Sequence, residues 1–288
     1  HATGLRLPAG ARFPKVVMMH DLNVFEFTEL SKDSWLAKRR ARILQTVERA
    51  DLILSYSEQG VQALEEHVGV PAERVRVVPL GVDMDRFRRP DDAVLEDVLT
   101  RHELIDRPYV AMVGEYSTRK NPHGLLEAFA RADLPEPWTL VLGGPRKDDA
   151  AKLAAHADSL GLPPSRVRLP GFVSDEDLAP LIAGAAFYVC SSLHEGFGLP
   201  VVEAQSCGIA VASSDRGALP ETVGDCGLLF DPEDPQAFAD AIRRLADDET
   251  LRAELASRGR ARVADRFTWD HVARNTLDAL AEAAALRR

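Results

Sequence analysis

The residues with the clearest capacity for chemistry are two glutamates, Glu195 and Glu203, which have seven residues between them. An apolar run precedes Glu195 and predicts a buried strand, whereas the residues after Leu199 follow the pattern of a short helix. Gly196 and Gly198, in the intervening loop, allow the backbone to approach a ligand closely. Because the N–H groups at the start of a helix favour an anion, this strand–loop–helix segment predicts a phosphate site.

The two carboxylates indicate a second kind of ligand group. A carboxylate beside a phosphate site would repel the phosphate, so hydroxyl groups are the expected partners of Glu195 and Glu203. A site that takes both phosphate and hydroxyl groups suits a nucleotide sugar. Taken alone, each glutamate has a simpler explanation: Glu203 complements the helix dipole, and Glu195 is a solvated loop residue.

Polar side chains also follow two other predicted strands. Arg119 and Lys120 lie in the loop after Tyr109–Val113, where two cations can neutralise a diphosphate beyond the carboxyl end of a parallel strand. His20 and Asp21 follow a strand nearer the start of the chain in the same way. The simpler explanations are a solvated lysine at 120 and, at 20, a loop histidine bonded to backbone.

The composition fits an enzyme with more than one hydrophobic core, since 45% of the 288 residues are hydrophobic. The formal net charge of -10 argues against a general nucleic-acid-binding role. No apolar run is long enough to span a bilayer. The three cysteines are widely spaced, which suits a reducing compartment better than a disulfide framework or a zinc site. A cytoplasmic location is therefore expected.

A helix predicted at 36–50 carries a basic outer face. Its inward positions are Leu36, Ile43, Leu44 and Val47, and its outward cations are Lys38, Arg39, Arg40 and Arg42. A basic face of this kind can bind anionic lipid at the inner side of a membrane. A solvated charged face is the common alternative, so peripheral membrane contact is an open hypothesis.

Strands and helices alternate along the chain, which predicts parallel sheets with right-handed crossovers. Three strands precede a polar, proline-bearing stretch at 86–92, and six follow it: 16–19, 52–55 and 75–78, then 109–113, 139–142, 167–169, 185–190, 209–212 and 228–230. That stretch has the composition of a domain linker. We therefore expect one domain at 1–88, a second at 89–268, and a final helix at 269–288.

The run Glu195-Gly196-Phe197-Gly198-Leu199-Pro200, followed by Glu203, closely resembles the signature of family 4 retaining glycosyltransferases. By the order of motifs, the resemblance extends from about Pro14 through the last helix. It implies the GT-B fold, in which two Rossmann-like α/β domains with parallel sheets face a cleft and the last helix crosses back to the first domain. Because the family has further βα units before the histidine strand, the first domain is expected to be incomplete at its N-terminus.

The resemblance also implies roles for individual residues. His20 matches a histidine close to the transferred sugar, and Lys120 matches a lysine that meets the diphosphate. Glu115 stands where the family usually has arginine, and Arg119 is expected to supply that charge, as in members with Arg-Lys-Asn at this point. The predicted catalytic residues are thus His20, Lys120 and Glu195.

The donor-binding residues implied by the resemblance come from three loops of the second domain. Glu203 is assigned the ribose hydroxyls, Glu195 a sugar hydroxyl, and the backbone at Val173 the edge of the base. Backbone N–H groups from Gly196 to Leu199 are assigned the sugar and the phosphates. The predicted set is Gly114, Arg119, Lys120, Val173, Glu195, Gly196, Phe197, Gly198, Leu199 and Glu203.

The predicted function is transfer of a hexosyl group, with retention of configuration, from GDP-mannose or a UDP-sugar to a hydroxyl acceptor. The acceptor is a glycan, a lipid-linked sugar or a small molecule, as in polysaccharide biosynthesis. No cofactor and no metal are expected, because the family needs none. Two alternatives stay open: a glycoside hydrolase with Glu195 and Glu203 as its acid and base, and a fragment that binds the nucleotide sugar without catalysis.

Overall fold

The computed structural model describes residue 7 and residues 13–26, 33–144 and 147–286. The chain divides into two compact units. The first contains the described residues up to Gly81 together with the C-terminal helix that begins at Trp269, and the second is Val82–Thr268. No helix within the described ranges is long and apolar enough to cross a membrane.

The first unit is built on a three-stranded parallel sheet of β1 (Val16–Met19), β2 (Leu52–Ser55) and β3 (Val75–Val77). The three strands predicted from the sequence are confirmed. β1 and β2 are buried along their whole length, as apolar runs in parallel sheets are. Met19 is the register partner of Ser55, so the two strands end at one edge of the sheet.

In the first unit, α1 (Asn23–Glu26) and α2 (Asp33–Arg49) lie between β1 and β2 in the chain. α3 (Glu58–Val68) lies between β2 and β3. The caps of α3 show how the sequence sets helix ends. The Ser57 hydroxyl accepts a hydrogen bond from the Gly60 N–H at 3.1 Å. Gly69 ends the helix in the left-handed conformation, with φ 69°.

The face that α2 buries is displaced from the predicted one, because Thr46, which lies on the opposite side of Leu36 from Leu44, is only 4% exposed. Leu36, Ile43 and Val47 are buried, but the prediction that Leu44 points inward is wrong, since it is 46% exposed. At about 100° per residue, Leu44 lies about 80° around the helix from Leu36, outside the buried stripe. Arg40 lies about 40° from Leu36, at the margin of that stripe.

Arg40 does not belong to a free basic face. Its Nε donates to the carbonyl of Val24 at 2.7 Å, and its guanidinium lies over the Phe25 ring, 5.5 Å from the centroid. These contacts hold the side chain against α1. The exposed cations of this face are therefore Lys38, Arg39 and Arg42.

The second unit contains a six-stranded parallel sheet in the order β6-β5-β4-β7-β8-β9. Its strands, all of them predicted, are β4 (Tyr109–Val113), β5 (Thr139–Gly143), β6 (Val167–Gly171), β7 (Phe187–Cys190), β8 (Ala210–Ser214) and β9 (Leu228–Phe230). Two parallel sheets with crossover helices make this the predicted α/β architecture.

The helices of the second unit are α4 (Asp92–Arg101), α5 (Pro122–Ala132), α6 (Lys147–Ser159), α7 (Asp175–Ala183), α8 (Leu199–Ser206), α9 (Leu219–Val223), α10 (Pro235–Asp247) and α11 (Glu249–Arg266). α5, α6 and α10 bury their apolar faces in one core with the sheet. On the other face, the Tyr109 hydroxyl of β4 donates to the Leu181 carbonyl of α7 at 2.6 Å. α4 and α9 were not predicted from the sequence.

The last helix, α12 (Trp269–Ala285), packs on the sheet of the first unit. Ala279 and Ala283 are buried in a cluster with Val16 and Leu52, and these small side chains permit a close approach. Arg76 of β3 donates through Nε to Glu282 Oε2 at 2.8 Å. An apolar contact and an ion pair thus hold α12 against β1, β2 and β3.

Candidate active site

The strand order of the second sheet brings two loops together. β4 pairs with β5 on one side and with β7 on the other. The chain runs outward from β4 to β6 and then outward in the other direction from β7 to β9, so the order reverses between β4 and β7. In open α/β sheets, ligands bind in the crevice beyond the carboxyl ends of the strands at such a reversal. The loops after β4 and β7 carry the residues singled out from the sequence.

Arg119, Lys120 and Glu195 form one ion cluster between these loops. Arg119 Nη1 lies 3.0 Å from Glu195 Oε2, and Lys120 Nζ pairs with the other carboxylate oxygen, Oε1. Arg119 Nη1 also donates to the carbonyl of His194 at 3.0 Å. Only 25% of the Arg119 side chain, 14% of Lys120 and 12% of Glu195 is exposed. Both predicted cations and one predicted carboxylate therefore meet at one point.

Two serines at the end of β7 hold this cluster in place. The Ser192 hydroxyl donates to Glu195 Oε1 at 2.7 Å, and the Ser191 hydroxyl donates to the Lys120 carbonyl at 2.8 Å. Both serines are buried. Neither serine was predicted as a site residue, although two adjacent hydroxyl groups directly after an apolar strand were an available signal.

Glu195 is ionised in the cluster. Burial by itself would raise the pKa of its carboxyl, but the charges of Lys120 and Arg119 and the hydrogen bonds outweigh burial and lower the pKa. Two cations around one carboxylate leave one positive charge in excess. The cluster therefore attracts an anion, even while Glu195 occupies it.

The start of α8 adds backbone donors near Glu195. Gly198 takes φ 94° at the N-cap, and within the described chain no side chain caps this end of the helix. Phe197 anchors the loop, because its ring packs edge-on against Phe267 with centroids 5.5 Å apart and its carbonyl accepts from the Thr222 hydroxyl. An uncapped helix start of this kind suits a phosphate.

Glu203 is the fifth residue of α8, just beyond the first helical turn. Burial raises the pKa of its carboxyl to about 7, although the charges of Arg86 and Lys120 act in the opposite direction. Glu203 therefore lies within electrostatic reach of the cluster. Because its carboxyl is mostly neutral below about pH 7, it leaves the excess positive charge of the cluster uncancelled under those conditions.

Gly114 and Val173 lie at the ends of β4 and β6. A Cβ at Gly114 would sit 3.8 Å from Lys120 Cε, so the lysine stem passes beside this glycine. Val173 is only 9% exposed, and a Cβ at Gly143 would come within 2.8 Å of Val173 Cγ2. The loop that holds Val173 is therefore fixed against the end of β5.

Gly217, in the loop after β8, supports the Glu195 loop and was not identified from the sequence. It has φ +59°, and a Cβ there would lie 2.5 Å from the Glu195 carbonyl oxygen. The next residue, Ala218, donates its N–H to that oxygen at 2.9 Å. Only glycine permits this close approach of the two backbones.

His20 belongs to the first unit, where it follows β1 at the carboxyl edge of the sheet. Its side chain is exposed, and its Nδ1 shares a hydrogen bond with the Tyr56 hydroxyl. The other predicted site residues all belong to the second unit. No group of three or more His, Cys, Asp or Glu side chains in the described ranges is arranged to hold a metal ion.

Glu203 should make stability depend on pH. Its carboxyl keeps its proton up to about pH 7 in the folded protein, but ionises near 4.3 when unfolded. Its stabilising contribution is therefore complete below about pH 4, falls as pH rises, and is lost above about pH 7. Urea unfolding at pH 5 and pH 8 should show the wild type losing about 2–3 kcal/mol relative to Glu203→Gln. An equal difference at both pH values contradicts this prediction.

Two family models match the chain. The model described as Glycosyl transferases group 1 matches residues 100–262, and the model described as Glycosyltransferase Family 4 matches residues 1–86. The first match contains the ion cluster and α8, and the second contains His20. Nearly all of α4 lies between the two matches.

Similar proteins include the O-antigen chain mannosyltransferase B of Escherichia coli, 32% identical over 92% of this chain and 69% of that protein. The D-inositol 3-phosphate glycosyltransferase of Nocardioides sp. is 34% identical over 85% of this chain, which spans 57% of that relative. Among solved structures, Anabaena HepE in complex with UDP and glucose has a TM-score of 0.80 at 23% identity and covers 93% of this chain, which covers 72% of HepE. On these matches, the chain belongs to the group 1 glycosyltransferases, as a family 4 member of GT-B type.

Proposed function

We propose that the protein transfers a hexosyl group from a nucleotide-diphosphate sugar to a hydroxyl acceptor with retention of configuration. The observation that carries this proposal is the buried cluster of Arg119, Lys120 and Glu195 at the reversal of strand order. An excess positive charge and an uncapped helix start lie where an α/β sheet binds its ligand. A diphosphate suits these groups because it can accept charge-assisted hydrogen bonds from both cations.

The two glutamates support the nucleotide-sugar part of the proposal. Glu203, held on the rigid helix α8, accepts hydrogen bonds from the ribose hydroxyls. Glu195 accepts one from a hydroxyl of the transferred sugar once the diphosphate engages Lys120 and Arg119. The backbone at Val173 meets the edge of the base, which is consistent with a loop held against the end of β5.

In the proposed reaction, the bond between the anomeric carbon and the phosphate oxygen breaks. The acceptor oxygen bonds to the same face of that carbon, and the acceptor proton passes to the leaving phosphate oxygen. Lys120, Arg119 and the start of α8 stabilise the negative charge that develops on the diphosphate. The proposal requires neither a covalent enzyme nucleophile nor a metal ion.

GDP-mannose is the first donor we propose. Arg119, Lys120 and Asn121 form the Arg-Lys-Asn version of the loop, and a relative 32% identical to this chain is described as a mannosyltransferase. A UDP-sugar is the second donor to test, since the structure of HepE holds UDP and glucose. The proposed acceptor is a hydroxyl group of a glycan, a lipid-linked sugar or a small molecule.

We also propose peripheral contact with anionic lipid at the cytoplasmic side of a membrane. Lys38, Arg39 and Arg42 remain exposed on α2 and form a basic surface of the kind that such lipids attract. Arg40 is excluded from this surface because its Nε is bonded to Val24. Comparing wild type with a variant in which all three are alanine, on vesicles with and without phosphatidylserine, measures the contribution of these three side chains.

A glycoside hydrolase is the less favoured alternative. The high pKa of Glu203 would suit a general acid. A hydrolase, however, gives no role to the two cations that surround Glu195. Hydrolysis of an aryl glycoside without any nucleotide would favour this alternative, whereas nucleotide binding without any transfer would favour a purely binding role.

Lys120→Ala should weaken the binding of GDP or UDP by about 1.5–3 kcal/mol, the value of a hydrogen bond to a charged group. Isothermal calorimetry measures this change directly. Lys152→Ala is the matched control, because Lys152 is a lysine with 73% of its side chain exposed on α6. Equal affinities of wild type and Lys120→Ala for both nucleotides would defeat the diphosphate assignment.

Substitutions of the two glutamates should distinguish binding of the nucleotide from binding of the sugar. At pH 8, where the Glu203 carboxyl is ionised, Glu203→Ala should weaken the binding of bare GDP or UDP by about 1.5–3 kcal/mol, because it removes a charged partner of the ribose. Glu195→Gln should bind the bare nucleotide no more weakly than wild type, since it releases Lys120 and Arg119, but should bind the sugar-bearing donor more weakly. The opposite pattern in calorimetry would mean that the two roles are exchanged.

His20→Ala should leave nucleotide affinity nearly unchanged and lower the transfer rate by a factor on the order of 100, as expected for a positioned catalytic group. Release of GDP from GDP-mannose, or of UDP from UDP-glucose, measures the rate. His123→Ala, which changes an exposed histidine of the second unit, is the control. Wild-type turnover in His20→Ala, together with a loss in Lys120→Ala, would show that His20 is only a loop residue.

A further inference from the structure

Strand register brings His20 and Tyr56 together. β1 ends at Met19 and β2 ends at Ser55, and these two residues are partners in the sheet. The residues that follow them, His20 and Tyr56, therefore leave the sheet at the same edge. Their ring centroids are 5.3 Å apart with the planes at 60°, and the Tyr56 hydroxyl is hydrogen-bonded to His20 Nδ1.

We propose that Tyr56 is a positioning residue that holds His20 in one tautomer and one ring orientation. A phenol hydroxyl is a better donor than acceptor, so it donates its proton to Nδ1. The proton of the neutral imidazole then sits on Nε2. This inference rests on the proposed role of His20 in sugar transfer, and it identifies the residue that fixes the tautomer and the ring orientation of that histidine.

Two observations support Tyr56 as a fixed donor. Burial, and secondarily the charge of Asp21, raises the pKa of the Tyr56 phenol, so the hydroxyl keeps its proton. The Tyr56 ring packs against the buried cluster that contains Leu52, Leu54 and Ala279. The position of the hydroxyl is thus set by the core of the first unit, and His20 receives a donor that does not move with its loop.

The tautomer decides what His20 can do. With Nδ1 accepting from Tyr56, Nε2 carries an N–H on the opposite side of the ring and can donate a hydrogen bond to a substrate oxygen. Such an oxygen belongs to a sugar hydroxyl or to the phosphate. A neutral His20 in this state cannot take a proton through Nε2, so it acts as a hydrogen-bond donor and not as a general base.

Nitrogen NMR tests the tautomer without any activity assay. In the protein labelled with ¹⁵N-histidine at pH 8.5, where an ordinary imidazole is neutral, His20 should show an unprotonated Nδ1 and a protonated Nε2. Its signals are identified by their loss in His20→Gln. Tyr56→Phe keeps the ring and removes the hydroxyl. In this variant the chemical shifts of the two His20 nitrogens should move towards each other, because both tautomers become populated.

Kinetics test the consequence for transfer. Tyr56→Phe should lower kcat for nucleotide release from GDP-mannose or UDP-glucose by about 3- to 10-fold, as expected for one lost hydrogen bond, and should leave the KM for the donor unchanged. In the double variant, Tyr56→Phe should add no further loss to His20→Ala, because the two residues act as one unit. Tyr109→Phe is the control, since it removes a buried tyrosine hydrogen bond in the other unit.

The outcomes separate this inference from the proposed function. A protonated Nδ1 in the wild type, or the same tautomer in wild type and Tyr56→Phe, overturns the positioning role. A fully additive loss in the double variant also overturns it. Wild-type protein that binds and cleaves neither donor refutes the proposed transfer instead, whereas the NMR result still decides which nitrogen carries the proton.

Discussion

The buried carboxylate of Glu195 is the constraint on which the site depends. An ionised carboxylate that is largely removed from water must be paired, and removing one partner of such a pair commonly destabilises a protein by about 3–5 kcal/mol. Here Arg119 and Lys120 provide the pairing and Ser192 provides a neutral hydrogen bond. Because the cations follow β4 and the carboxylate follows β7, the cluster exists only while these two strands are neighbours.

The charges of the second unit form a gradient along its proposed ligand site. Arg119, Lys120 and the uncapped start of α8 make one end positive. One turn further along α8, Glu203 is an acid that burial keeps mostly neutral below about pH 7. A ligand with phosphates at one end and hydroxyl groups at the other matches this arrangement. The same arrangement explains how the carboxyl group of Glu203 and an anion site can share one short helix without strong repulsion.

In the first unit, as in the second, side chains meet where neighbouring parallel strands end, but their chemistry is different. Parallel strands in register end at the same edge, so the residues after β1 and β2 meet there as those after β4 and β7 meet in the second sheet. In the first unit the two residues are His20 and Tyr56, which share a hydrogen bond and not an ion pair. In both cases the register of the strands brings the residues together, and the chemistry of their side chains determines which interaction they make.

The sequence by itself determined the strands, most helices, the motif that marks the family and the residue types of the site. These features are local, since hydrophobic period, caps and glycine spacing act over a few residues. Strand order is not local, and it alone made Arg119 and Lys120 partners of Glu195. Leu44 is exposed and Arg40 is held against α1, because the position of the buried stripe depends on what packs against α2. The pKa of Glu203 and the role of Gly217 likewise arise from burial and close backbone contact, which only the tertiary structure decides.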